Sequence, residues 1–286
     1  MDASLKPIKI VALDLDGTLL DSSKGLSAAN RAALERAAAA GVYVVPTTGR
    51  FFGMMPECVR SLPFVRYAIT VNGAQVYDRE TDSAIVREEI PLATALGLMR
   101  LLDRHDVIYD CYRNNWGWMT EAFKAKAEDY ATDAHYLKMI RDFRHGVPEL
   151  KAHLESTAAD GDVQKVMLFT RRAEGGAEEA RAIAAEVAAE FPDIKTTSST
   201  WNNLEFNAPT AHKGVALERF ANHLGLTLEN CMAFGDGMND LTMVQAAGVG
   251  VAMANACPEV KAAANYVTLT NDEDGVAAAL AKYNVL

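Results

Sequence analysis

The chain has 286 residues, of which 50% are hydrophobic, and its formal net charge is -10. Its length is sufficient for two domains with separate cores, and its mixed composition excludes the fibrous and disordered classes. An acidic chain without a dense run of lysine and arginine is not expected to bind nucleic acid through a basic patch, and no apolar stretch is long enough to predict a membrane span.

The cysteines are widely spaced and form no C-x-x-C pair: Cys58, Cys111, Cys231 and Cys257. This spacing favours free thiols over disulfides or a zinc site. The first ten residues contain no long apolar segment, so no secretory signal is predicted. Together these features predict a protein of the reducing cytoplasm.

The predicted elements alternate between strands and helices at the start of the chain. Residues 8–13 form a short apolar run typical of a buried strand, and further strands are predicted over 42–45 and 67–71. A helix capped by Ser27 is predicted to run to Ala40 between the first two strands. This alternation predicts a parallel sheet with helices packed against it.

The pattern changes after residue 82, where residues 84–90 alternate like a strand with one exposed face. Short strands and helices follow in an order that suggests antiparallel hairpins, until the first pattern resumes at Lys213. The chain is therefore predicted to be an α/β protein with a Rossmann-like, doubly wound parallel sheet. The predicted domains are that core, 1–82 and 208–286, and an inserted α+β domain, 83–207.

Polar side chains follow several of the predicted core strands. Asp14 and Asp16 follow the first, Thr48 and Gly49 follow the second, and Asp236 follows a later one. Ligands of open α/β sheets bind beyond the carboxyl ends of the strands, so we expect these residues to share one site. Thr48 would offer a hydroxyl to a phosphate, and Gly49 would offer an unobstructed N–H.

The same residues suit phosphoryl transfer. A carboxylate such as Asp14 can attack phosphorus, and a divalent cation held by Asp14 and Asp236 would relieve the repulsion between the two anions. Asp16 could protonate the leaving oxygen and later deprotonate water. Lys213 begins a predicted helix, where its ammonium and the helix N-terminus both favour an anion.

These motifs resemble those of the haloacid dehalogenase superfamily of phosphatases, in particular the Cof-type subfamily with a type IIB α/β cap. The family's motifs occur in order as Asp14-Leu15-Asp16-Gly17-Thr18-Leu19-Leu20, Thr48-Gly49-Arg50, Lys213-Gly214 and Gly235-Asp236-Gly237-Met238-Asn239-Asp240. Asn72-Gly73-Ala74 and Met253-Ala254-Asn255-Ala256 are similar to further Cof-type landmarks. The insert is similar in position and size to the cap, which implies that it sets substrate specificity.

The resemblance implies a Mg²⁺-dependent phosphatase that hydrolyses small phosphate monoesters, such as sugar phosphates or phosphorylated cofactors, through an aspartyl-phosphate. The implied catalytic residues are Asp14 as nucleophile and Asp16 as general acid and base. The implied metal-site residues are Asp14, Asp16, Asp236 and Asp240. The implied phosphate-binding residues are Leu15 through its N–H, Thr48, Gly49, Lys213 and Asn239.

Two alternatives stay open: a phosphomutase of the same superfamily, and a non-catalytic binding protein that keeps the fold. In the insert, residues 110–116 mix aromatic and polar side chains, as a sugar-binding or ring-binding surface does. Tyr112 and Arg113 are the predicted substrate contacts there, against the alternative that they belong to the core of a hairpin. The pair Gln164-Lys165 is a second candidate. The sequence names neither the substrate nor the oligomeric state.

Overall fold

The computed structural model describes residues 6–285, which divide into two compact units. Unit 2 is Glu88–Thr210, and unit 1 consists of the residues on either side of it. The unit boundaries lie a few residues beyond the predicted domain boundaries, 82/83 and 207/208. Each unit has its own cluster of buried apolar side chains, as expected of an independent core.

Unit 1 is built on a parallel sheet whose strands have the order β14-β13-β12-β1-β2. Its strands, numbered in chain order, are β1 (Ile10–Leu13), β2 (Tyr43–Pro46), β12 (Cys231–Gly235), β13 (Val249–Ala252) and β14 (Tyr266–Val267). Leu13 is level with Pro46 of β2 and Phe234 of β12, so the carboxyl ends of three neighbouring strands meet at one edge. Every residue of β1 is buried, as its continuous apolar sequence predicts.

The helices of unit 1 connect these strands and cover the sheet: α1 (Ala28–Ala39), α2 (Glu57–Arg60), α8 (Lys213–His223), α9 (Leu241–Ala246), α10 (Pro258–Ala263) and α11 (Gly275–Lys282). Helix α1 packs against α11, and α8 packs against α9. The predicted cap of α1 is present, because the Ser27 hydroxyl accepts a hydrogen bond from the Asn30 N–H at 3.0 Å. The predicted α/β class and doubly wound architecture are confirmed.

A small antiparallel sheet in unit 1 differs from the prediction. It consists of β3 (Tyr67–Thr70), β4 (Gln75–Asp78) and β5 (Ser83–Arg87). The strand predicted over 67–71 thus joins an antiparallel sheet, and a parallel bridge between Thr47 and Ile69 links it to the end of β2. The strand predicted over 84–90 as part of the insert lies in unit 1, because it pairs with β4.

Unit 2 is an α+β structure, as predicted for the insert. Its sheet has the order β10-β11-β9-β6-β7-β8 and is antiparallel except between β7 and β8. The strands are β6 (Val107–Arg113), β7 (Trp116–Thr120), β8 (Arg144–Val147), β9 (Lys165–Thr170), β10 (Lys195–Thr197) and β11 (Asn203–Asn207). The helices are α3 (Leu92–Leu102), α4 (Glu121–Ala125), α5 (Ala134–Phe143), α6 (Leu150–Ser156) and α7 (Gly176–Glu190).

The cysteines and the helix lengths can be compared with the sequence predictions. All of its cysteines are free thiols, as their spacing predicts. Over residues 6–285, every helix is too short or too polar to cross a membrane.

Candidate active site

Strand β1 ends at Asp14, whose N–H donates to the carbonyl of Phe234 on β12 at 3.1 Å. The chain then turns through Gly17, which has a φ of 86°. A Cβ on Gly17 would lie 2.5 Å from Oδ2 of Asp236, so any other residue would displace that carboxylate. Glycine at this position therefore allows the first loop to approach the carboxylate that follows β12.

Asp236 is held by a side chain of that first loop. The buried Thr18 hydroxyl donates to Oδ1 of Asp236 at 2.8 Å, although the two residues are 218 positions apart in the chain. Burial raises the pKa of Asp236, and the nearby Asp240 carboxylate adds to this effect against the hydrogen bond from Thr18. Thr18 belongs to the first sequence motif, which predicted no role for it. The structure shows that Thr18 orients Asp236.

Lys213 connects two carboxylates at the start of α8. Its fully buried ammonium donates to Oδ1 of Asp14 and to Oδ1 of Asp240, each at 2.6 Å. The other oxygen of Asp240 accepts the N–H groups of Asp236 and Gly237, each at 3.0 Å. Both Asp240 oxygens are thus engaged, so this residue fixes the loop after β12 and the position of Lys213.

Burial and the Asp240 carboxylate raise the pKa of Asp14 to about 8, although the ammonium of Lys213 opposes them. Burial alone would lower the pKa of Lys213, but the Asp14 and Asp240 carboxylates outweigh it and the pKa is raised. Carboxylate oxygens of Asp14, Asp236 and Asp240 all lie within 4.8 Å of one another. An all-oxygen set with more carboxylates than ammonium groups fits a hard divalent cation.

The predicted phosphate-binding residues surround the same edge of the sheet. The Thr48 N–H donates to the carbonyl of Ile69 at 2.9 Å. The Thr48 hydroxyl accepts a hydrogen bond from the Arg50 N–H at 3.3 Å and keeps its own proton for a ligand. Gly49 is partly exposed beside it, and Asn239 is exposed on the loop after β12. Leu15 lies between the two aspartates with its side chain fully buried.

Asp16 has two basic partners that sequence reasoning missed. Oδ2 accepts a hydrogen bond from Nη2 of Arg50 at 2.7 Å, and Oδ1 lies 2.9 Å from Nζ of Lys24. Burial alone would raise the pKa of Asp16, but Arg50 and Lys24 outweigh it and the pKa is lowered. Arg50 belongs to the second motif, which gave it no role, and Lys24 stands outside every motif.

In unit 2, the predicted substrate contacts are buried and already bonded. The Arg113 guanidinium donates to the carbonyl of Leu154 and to the hydroxyl and carbonyl of Thr157. The Tyr112 hydroxyl accepts Nη2 of Arg144 at 2.7 Å. Each of these two candidates is 2% exposed, so the structure favours the alternative that they belong to the core of the hairpin.

The other candidate pair in unit 2 is also buried. Nζ of Lys165 donates to Oε2 of Glu205 at 2.5 Å, and both side chains are buried. Gln164 is fully buried, and within residues 6–285 neither polar atom of its side-chain amide has a hydrogen-bond partner. A lysine already paired inside the unit has little capacity to bind a further anion, so Lys165 is better explained as part of the core of unit 2.

Comparison with known proteins supplies the family. The chain is 32% identical over 275 residues to a 5-amino-6-(5-phospho-D-ribitylamino)uracil phosphatase of Bacillus subtilis, which covers 96% of this chain and 94% of the relative. It is 28% identical over 276 residues to the pyridoxal phosphate phosphatase of Escherichia coli, covering 94% and 96% of the two chains. A haloacid dehalogenase-like hydrolase from Bacteroides thetaiotaomicron has the same fold, with a TM-score of 0.79, 26% identity and coverage of 96% and 99%.

The family profile of the haloacid dehalogenase-like hydrolases matches residues 11–280, which span both units. The motif-based recognition is therefore confirmed: the chain belongs to the family of haloacid dehalogenase-like hydrolases.

Proposed function

We propose that this hydrolase is a Mg²⁺-dependent phosphatase that cleaves small phosphate monoesters in two steps through an aspartyl-phosphate at Asp14. The observation that carries the proposal is the hydrogen bonding of the Asp14 carboxylate, in which, among the described residues, one oxygen is bound and the other is not. One of its oxygens is bound by Lys213 at 2.6 Å. Over residues 6–285, its other oxygen accepts no hydrogen bond and is available to attack phosphorus.

In the first step, Oδ2 of Asp14 forms a bond to phosphorus while the bond to the leaving oxygen breaks. Asp16 gives its proton to that leaving oxygen. In the second step, water attacks phosphorus, Asp16 takes a proton from the water, and the bond to Asp14 breaks with release of phosphate. Lys213 remains against Asp14 throughout and balances part of the negative charge.

The residues proposed to hold the cation are Asp14 and Asp236 through their carboxylates and Asp16 through its carbonyl. Asp240 supports them by fixing the loop that carries Asp236. When bound, Mg²⁺ would supply positive charge between these carboxylates and the phosphoryl group. Thr48, Gly49, Asn239 and the Leu15 N–H are proposed to bind the phosphoryl oxygens.

For the substrate, we propose a phosphorylated sugar or cofactor. Two relatives act, by their names, on a phosphorylated ribitylaminouracil and on pyridoxal phosphate. In both, a phosphate is carried by a small polar molecule. No residue of unit 2 is proposed to select between them.

The test is a screen of the purified protein with Mg²⁺ against phosphorylated metabolites that include sugar phosphates, pyridoxal phosphate and a ribitylaminouracil phosphate. We expect release of inorganic phosphate and its loss in Asp14→Asn, with no effect of the matched change Asp193→Asn on an exposed turn of unit 2. An isomerised sugar phosphate in place of free phosphate would identify a mutase. Tight binding without turnover would identify a non-catalytic protein.

A further inference from the structure

An unusual turn follows β3 at Val71, Asn72 and Gly73, whose φ angles are 52°, 57° and 99°. The left-handed region is strongly disfavoured for a β-branched residue, yet Val71 adopts it and is fully buried. Two main-chain bonds impose this conformation. The N–H of Val71 donates to the carbonyl of Arg50, and that of Asn72 donates to the carbonyl of Thr48, each at 3.0 Å.

The same turn packs against the start of α8. A Cβ on Gly73 would lie 2.5 Å from the carbonyl carbon and oxygen of His212, the residue before Lys213. Only glycine permits that approach. The turn therefore contacts both the loop after β2, with the proposed phosphate-binding Thr48, and the beginning of the helix that carries Lys213.

The side chain of Asn72 lies at the centre of this arrangement. Its Oδ1 accepts a hydrogen bond from Nδ2 of Asn239 at 3.4 Å. A Cβ built on Gly49 would lie 3.0 Å from Oδ1 and 3.3 Å from Nδ2 of Asn72, so the amide group rests directly over Gly49. The side chain is half-buried, and over residues 6–285 its Nδ2 donates to no protein acceptor.

We propose that Asn72 donates a hydrogen bond from Nδ2 to an oxygen of the transferred phosphoryl group, between Gly49 and Asn239. This inference rests on the proposed phosphatase function and adds a substrate contact to it. Phosphoryl oxygens are acceptors, and a neutral amide donates to them without adding charge to a site crowded with ionised groups. The strained turn places Nδ2 of Asn72 between Gly49 and Asn239. At the same time, Oδ1 of Asn72 accepts the hydrogen bond that orients Asn239.

Two variants separate a direct contact from a purely structural role. Asn72→Gly deletes the amide and keeps a residue that readily adopts the left-handed backbone. Asn72→Asp also tolerates this backbone and keeps an acceptor for Asn239, but it removes the donor. Asn284→Gly is the matched control, because Asn284 also has a positive φ, 52°, and lies near the C-terminus, outside the proposed site.

The measurements are the Kd of inorganic phosphate in the presence of Mg²⁺, by isothermal titration calorimetry, and kcat/KM for p-nitrophenyl phosphate. We expect Asn72→Gly to raise the Kd and lower kcat/KM by about tenfold or more, the effect of one lost hydrogen bond to a charged group. Asn72→Asp should have at least this effect, because its carboxylate also repels phosphate, and the control should be unchanged. Wild-type phosphate binding in Asn72→Asp would overturn the proposal, because that variant still orients Asn239. Unchanged binding in Asn72→Gly would overturn it as well.

Failure of the proposed function has a different signature. A wild-type protein that hydrolyses no phosphate ester would refute the phosphatase proposal. Even then, the Kd of inorganic phosphate can be compared between the wild type and Asn72→Gly, and this comparison decides the role of Asn72. Melting temperatures of all variants show whether the turn itself is disturbed. If Asn72→Gly is destabilised, the Kd of phosphate for Asn72→Asp decides the role of Asn72.

Discussion

Thr18→Val tests whether the buried threonine hydroxyl sets the geometry of the metal site. Valine has nearly the same shape as threonine, so the change removes the 2.8 Å bond to Asp236 without opening a cavity. A hydrogen bond to a charged group contributes about 1.5–3 kcal/mol, and loss of a residue that orients a metal ligand costs about 10- to 100-fold in metal affinity. These values agree, so we expect Mg²⁺ to bind at least about tenfold more weakly.

The assay is calorimetric titration of Mg²⁺ into the metal-free protein, with urea unfolding in EDTA as a separate measure of stability. Thr268→Val is the matched control, because the buried Thr268 hydroxyl donates to the carbonyl of Gly275 at 2.7 Å, away from the proposed site. It should lose about 1 kcal/mol of stability and keep its Mg²⁺ affinity. Thr18→Ser restores the hydroxyl and should recover most of the affinity.

Wild-type Mg²⁺ affinity in Thr18→Val, measured on a folded protein, would refute this reasoning. It would mean that Asp236 is not a ligand, or that its carboxylate is fixed without Thr18. Equal losses of affinity in Thr18→Val and Thr268→Val would also refute it, because the effect would then follow stability and not the orientation of Asp236.

Lys213→Met should lower the free energy of unfolding in EDTA by about 3–5 kcal/mol, measured with urea, because the buried Asp240 carboxylate loses its cation. In EDTA, the titration of Asp14 should lower wild-type stability by up to about 1.4 kcal/mol per pH unit between about pH 5 and 8, and this part of the slope should be lost in Asp14→Asn. The sign follows from the raised pKa of Asp14, about 8, since its protonated form stabilises the fold at low pH and is lost as the pH rises. In unit 2, Arg144→Met should cost about 3–5 kcal/mol in urea unfolding by leaving Asp110 unpaired, and the double change Arg144→Met with Asp110→Leu should recover part of it.

The core of the fold was predictable because its strands are short, continuous and apolar. Residues 10–13 could form little else than a buried strand, and Ser27 marked the start of α1. The convergence of Asp14 and Asp236 followed from the rule that ligands bind at the carboxyl ends of parallel strands. That rule requires only that the two strands lie near each other, and β1 and β12 are direct neighbours.

Other features depend on pairings that no local pattern encodes. The strand at 67–71 has the composition of a core strand, but β4 pairs with it after a tight turn and draws it into an antiparallel sheet. The bond from Thr18 to Asp236 joins distant parts of the chain. In unit 2, the polar residues of β6 look like a binding surface in sequence, whereas Arg144 and other buried partners satisfy them inside the unit.

The environment of Asp16 places a condition on the proposed mechanism. A general acid must carry a proton, yet Arg50 and Lys24 each face one of its oxygens and hold its pKa low. The side chain of Lys24 is 59% exposed, so its ion pair contributes little and is easily broken, whereas that of Arg50 is only 21% exposed. In the proposed mechanism, the entering phosphoryl group carries more negative charge than Asp16 and would compete for both cations. Protonation of Asp16 would therefore be coupled to substrate binding in this mechanism, and Lys24 would be the partner released at lowest cost.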